Sequence, residues 1–172
     1  VPDLLPELDE PQLAEDVAVA LLLLGDRRGV DFHGQALAAG ETLAAPPGEI
    51  VGRYGGPAYL LLLMNTAGES SPRTAAAIQG LGYLGDPRAV PRLIEALGGR
   101  DKARIRVAAN ALELITGRRE DPEEPGILAR YIRWWEDAAP DFHDGLRYRY
   151  GHPVSPEVLA AQLSHDDPIV RR

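Results

Sequence analysis

The sequence predicts an all-α fold, an α-solenoid of stacked helix pairs, and three observations predict it. Residues 71–117 divide into three amphipathic helices separated by two sharp breaks. The break at Gly85-Asp86-Pro87 is echoed at Gly25-Asp26. The 172 residues are 45 % hydrophobic, mostly Ala and Leu with no cysteine, which suits a folded helical chain rather than a disordered one.

The clearest stretch justifies itself residue by residue. Ala77, Ile78, Leu81 and Leu84 recur at three- and four-residue spacing, one face of a helix. Gly85 suits a left-handed C-terminal position, Asp86 a cap for the next helix and Pro87 its first turn. Val90, Leu93, Ile94 and Leu97 line the second helix, which stops at Gly98-Gly99. Ile105, Ala108, Leu112 and Ile115 line the third, closed by Thr116-Gly117. Such short helices cannot bury their faces alone and must stack on neighbours.

Taken from the start, residues 1–10 form an acidic, proline-containing lead-in. Pro11–Leu24 reads as a helix with Leu13, Val17, Ala20, Leu21 and Leu24 on its buried side. Residues 25–37 align with 85–97 at a constant offset of 60, with six of thirteen positions identical. Leu81 and Leu84 also meet Leu112 and Ile115 at an offset of 31, so a degenerate unit is expected between, at Pro46–Ala67. Its run Tyr59–Met64 admits a strand, but leucine in place of β-branched residues favours helix. Ser70 or Ser71 is expected to cap the helix that follows.

After a charged loop at 118–124, a helix over Pro125–Ala138 carries Leu128, Tyr131, Ile132 and Trp135 as its buried stripe. Residues 139–154 read as an irregular connection. Ser155-Pro156 opens a helix through Leu163, and Asp166-Asp167-Pro168 opens another. A repeat beginning there leads us to expect one repeat domain over 1–172, a fragment of a longer solenoid.

Leu84–Leu97, LGDPRAVPRLIEAL, resembles the HEAT-like repeat first associated with phycobilin lyases. A wider pattern joins Leu84-Gly85-Asp86-Pro87, Ala108-Ala109, Leu114-Ile115-Thr116-Gly117, Trp134-Trp135, Arg147-Tyr148, Gly151, Pro153 and Ser155-Pro156. It is similar to a bacterial family of uncharacterised HEAT-repeat proteins, with Val154 where leucine is usual. That family is loosely associated with type VI secretion clusters, so the resemblance implies an accessory or scaffold role and carries no catalytic residue across.

Chemistry is sparse. Gly80-Leu81-Gly82-Tyr83-Leu84-Gly85 spells G-x-G-x-x-G, but a dinucleotide fingerprint needs a strand before it and a helix opening at it. Here the glycines end a helix, and helix packing explains them better. The four histidines include no His-Glu pair, so the di-iron motif of deoxyhypusine hydroxylases, which are also HEAT-repeat proteins, is absent. Asp141-Phe142-His143-Asp144 offers metal ligands, but after Pro140 it suits a turn. Ser164-His165-Asp166 cannot form a triad from adjacent positions.

Charge sets a further bound. Six acids and no base fall within 1–16, leaving 18 bases against 20 acids in the rest. Such a balance builds no dominant phosphate-binding field. Arg88, Arg92, Arg100, Lys102, Arg104 and Arg106 form the densest basic group and carry the nucleic-acid alternative. No run approaches the roughly 20 apolar residues of a membrane span.

The sequence therefore points to a non-enzymatic, cytoplasmic protein-binding scaffold with no catalytic, metal or cofactor-binding residue. Trp134, Arg88, Arg92 and Arg104 are the candidate partner contacts. Adjacent residues on a helix diverge by about 100°, so Trp134 should stand partly exposed, or covered by 141–153, while Trp135 is buried. The far-ultraviolet circular dichroism spectrum should be dominated by helix; a strand-dominated spectrum would refute the solenoid.

Overall fold

The computed structural model describes residues 13–155, and those residues form eight α-helices and one small hairpin. The helices are α1 (Ala14–Leu23), α2 (Arg27–Ala39), α3 (Pro47–Tyr54), α4 (Leu60–Ala67), α5 (Thr74–Leu84), α6 (Val90–Leu97), α7 (Lys102–Thr116) and α8 (Ile127–Ala138). Strands β1 (Tyr148–Arg149) and β2 (His152–Pro153) pair antiparallel. The fold is an α-solenoid. Helices α3, α5 and α7 stack side by side as one layer, while α2 touches α4 and α6 touches α8 in the other. The layers are joined as α2 packs on α3, α4 on α5 and α6 on α7. The lead-in at 1–10 and the helices expected after Ser155 lie outside the described residues.

The offset of 60 is reproduced atom by atom. Gly25 and Gly85 share a left-handed φ of 73°. The Asp26 carboxylate accepts from the Arg28 amide at 3.0 Å and from Arg28 Nε at 2.9 Å. Asp86 accepts from Arg88 at the same two distances. The aspartate caps the new helix end, where free N–H groups point at it, and also holds the arginine.

Each glycine of Gly80-x-Gly82-x-x-Gly85 has its own task. A Cβ on Gly80 would stand 2.2 Å from the Gly48 carbonyl oxygen of α3, and one on Gly52 would stand 2.1 Å from the Gly80 oxygen. The backbones of α3 and α5 are thus in direct contact. Gly82 faces α7, where a Cβ would come within 2.8 Å of Ala111 Cα. Gly85 ends α5 in the left-handed region. The packing-and-capping reading holds. Around this contact Val51, Leu63, Ile78, Leu81, Leu93, Leu112 and Ile115 are wholly buried in one core.

Some expected details shift. In α1 the buried residues are Ala14, Val17, Ala18 and Leu21, whereas Leu13 and Leu24 are exposed. The run Val17–Leu24 is apolar all round, so periodicity alone does not select its face. Tyr59–Met64 is helical, a single 3-10 turn leading into α4. Neither Ser70 nor Ser71 caps α5; instead the Thr74 hydroxyl donates to the Glu69 carbonyl at 2.9 Å. In α8, Ile127 and Tyr131 are buried but Ile132 is 43 % exposed, because no further helix among the described residues covers that side.

Gly80→Ala should destabilise the protein by about 1–3 kcal/mol or more, since backbone cannot retreat as a side chain can. Gly99→Ala, whose Cβ would meet nothing closer than 3.4 Å, should change stability by no more than about 0.5 kcal/mol. Thermal unfolding of the two variants beside the parent checks the pair.

Candidate functional site

Two of the six residues in the basic group predicted from sequence, Arg92 and Arg104, turn inward. Arg92 Nε donates to the Met64 carbonyl at 3.3 Å and Nη1 to Glu95 at 2.7 Å. Arg104 Nη2 donates to the Ala67 carbonyl at 2.9 Å. Both arginines therefore bind carbonyls at the C-terminal end of α4, where the last turn leaves acceptors free. Arg88 is held by Asp86, and Arg106 pairs with Glu123 at 3.4 Å. Among the described residues only Arg100 and Lys102 of the six form no such bond. The group holds helices together and does not present a continuous cationic face.

A periodic signal in the sequence went unread. Arg73, immediately before α5, donates from Nη1 to the carbonyls of Leu37 and Ala38 at 2.7 and 2.9 Å, at the end of α2. Arg104 does the same for α4, and the two arginines stand 31 residues apart, the repeat offset. Their spacing could have marked them as structural.

Trp134 is half-buried, with its ring edge-on to Tyr131 at 6.1 Å and the Arg118 guanidinium 5.1 Å from its centre. Arg118 in turn pairs with Glu120, which also accepts from Arg130 Nε at 2.7 Å. Burial opposes ionisation of Glu120, but the hydrogen bonds from Arg130 and Arg118 outweigh it and hold the carboxyl below its usual range. Residues 141–153 reach Trp135, not Trp134, through Phe142 at 5.2 Å. Both tryptophans touch the core, and Trp135 is half-buried, not fully so.

The stretch 139–154 is more regular than expected. A 3-10 turn at Ala139–Asp141 leads to a loop, and then β1 and β2 lie across the ends of α5 and α7. Arg147 donates to the carbonyls of Leu84 and Tyr83 at 2.9 and 3.0 Å, and the Tyr148 amide to Gly85 at 2.7 Å. Tyr150 and Gly151 both have positive φ, 51° and 83°, as a two-residue hairpin turn requires. That geometry aims their amides at Leu114 and Ile115 of α7, at 2.8 and 3.0 Å. Helix-end carbonyls that lack partners within their own helix are thereby satisfied. The Asp141–Asp144 loop is a turn around Tyr148, whose hydroxyl accepts from the His143 amide at 2.9 Å. No group of three potential metal ligands forms among the described residues.

Beside the hairpin, α5 and α7 border a groove of about 410 Å³ lined by Gln79, Tyr83, Val107, Asn110, Glu113 and Tyr150. At its edge the Arg53 guanidinium of α3 lies 3.8 Å from the centre of the Tyr83 ring, and that of Arg149 lies 6.0 Å from it. Sequence reasoning missed this place because Arg53, Tyr83 and Arg149 lie far apart in the chain: α3–α5 packing brings Arg53 to Tyr83, and the hairpin brings Arg149.

A family model described as PBS lyase HEAT-like repeat matches residues 75–99, the segment from α5 through α6, and supports a HEAT-like repeat protein. No curated protein and no solved structure matches the chain.

Replacing Arg147 by Ala should release the hairpin without melting the solenoid. Amide hydrogen exchange checks this: Tyr148, Tyr150 and Gly151 should lose protection, while the amides of α3 and α4 keep theirs.

Proposed function

We propose that the protein is a non-enzymatic scaffold that binds another protein through its repeat surface. The groove between α5 and α7 is the observation that carries this reading. It is bordered by two helices of one layer and closed by the hairpin, and its lining joins the Tyr83 and Tyr150 rings, the Gln79 and Asn110 amides and the Glu113–Arg119 ion pair. HEAT-like repeats commonly serve protein interaction, since stacked units offer one extended surface. Trp134 and Arg88 keep partial exposure and extend the candidate contact area, whereas Arg92 and Arg104 act chiefly within the fold. An accessory role at a type VI secretion assembly, implied by the resemblance of the Trp134–Pro153 stretch, is one setting for such a scaffold. Nucleic acid is the less favoured partner, because four of the six bases in the 88–106 group already bind protein carboxylates or carbonyls.

Affinity capture with the full chain tests the scaffold reading. The parent protein should recover a specific partner that Asn110→Arg, an exposed change within the groove, no longer retains. Recovery of no specific partner by folded parent protein would remove the reading. Heparin should not retain the protein even at low salt; salt-dependent retention would promote nucleic acid instead.

A further inference from the structure

We propose that the Arg53–Tyr83–Arg149 cluster beside the groove receives a carboxylate from an acidic peptide segment of the partner. The proposal names the partner's chemistry and so rests on the scaffold reading.

Among the described residues seven arginines are half-buried: Arg73, Arg92, Arg104, Arg118, Arg130, Arg147 and Arg149. The first six each donate to a carbonyl or carboxylate of the protein. The Arg149 side chain forms no hydrogen bond or ion pair among the described residues, and its neighbours are the Tyr83 ring, Tyr150, Arg147 and Arg53. A guanidinium stays charged in such a place, and a half-buried charge facing two others is costly without an anion. Burial above all holds Arg149 below the usual arginine range; Tyr150 opposes the shift, repulsion from Arg147 and Arg53 adds to it, and Tyr83 opposes it least. Arg53 is already paired with Glu49 at 2.9 Å and lies over the Tyr83 ring. A single carboxylate entering beside Tyr83 would give Arg149 the planar, paired partner that its fork geometry fits.

The lining selects a peptide over a polyanion. Gln79 and Asn110 bring side-chain amides to the groove, each with a donor and an acceptor that match a peptide backbone. Glu113 and Arg119 line the same groove and pair at 4.0 Å, so the groove holds no excess of cations for a run of phosphates, and the net charge of −8 opposes a polyanion more than one isolated carboxylate.

Fluorescence anisotropy with a labelled hexapeptide of five glutamines and one internal glutamate, with hexaglutamine and with a single-stranded oligothymidylate tests the site on the full chain. The one-glutamate peptide should bind, hexaglutamine about tenfold more weakly or worse, and Arg149→Gln should lower the affinity of the one-glutamate peptide by about tenfold or more. Arg53→Gln, an exposed change on α3, should weaken binding too and serves if the first variant fails to fold. Unaltered affinity for the one-glutamate peptide in folded variants, or oligothymidylate binding as tight as that peptide, would overturn the proposal. A captured partner whose retention ignores Arg149→Gln would also overturn it, while leaving the scaffold reading intact.

Discussion

Direct backbone contact between α3 and α5 is the constraint on which the rest of the molecule depends. Gly48 and Gly52 on one helix meet Gly80 on the other with no room for a Cβ. With the axes drawn this close, Val51, Leu63, Ile78 and Leu81 fill the core, and the Arg53 side chain reaches the ring of Tyr83. Gly82 then sets α7 against the opposite side of α5, which brings the ends of α5 and α7 within reach of one hairpin. The groove is a product of those two close approaches.

Much of this fold was legible because its punctuation is local. Gly85-Asp86 and Gly25-Asp26 each define a helix end, an αL turn and a new cap from a few adjacent residues, so alignment of the two stretches predicted matching geometry. The same locality let the leucine-rich run before Met64 be read as helix. Where the local signal is saturated it stops discriminating. The Val17–Leu24 run is apolar on every face, and which side is buried depends on what α2 presents. The strands at 148–149 and 152–153 have too few residues for a period-two pattern, and their stability comes from carbonyls of helices far back in the chain.

The candidate site was less legible, and the reason is chemical. Arginines clustered in sequence read as a basic face, yet Arg88 and Arg106 meet carboxylates, while Arg92 and Arg104 meet backbone carbonyls, which no residue type announces. Arg92 and Arg104 were accordingly taken for outward contacts although they bind the end of α4. Conversely, Arg149 stood in a stretch read as irregular, and its distinction is the absence of an acceptor that its six counterparts have. Only coordinates expose a missing partner. The Arg147-Tyr148 pair was singled out through resemblance, and the hydrogen bonds to Tyr83, Leu84 and Gly85 give that pair a physical role.

The hairpin across α5 and α7 has a mechanical consequence. Stacked helical arrays bend through small rotations between successive units, and those rotations carry the ends of neighbouring helices apart or together. Here five carbonyls from two neighbouring helix ends are hydrogen-bonded to one short, tightly turned strut. The joint between α5 and α7 is thereby stiffened, while joints without such a brace keep their compliance. A ligand entering the neighbouring groove meets walls already fixed in place, and little ordering of the wall is left to oppose its binding.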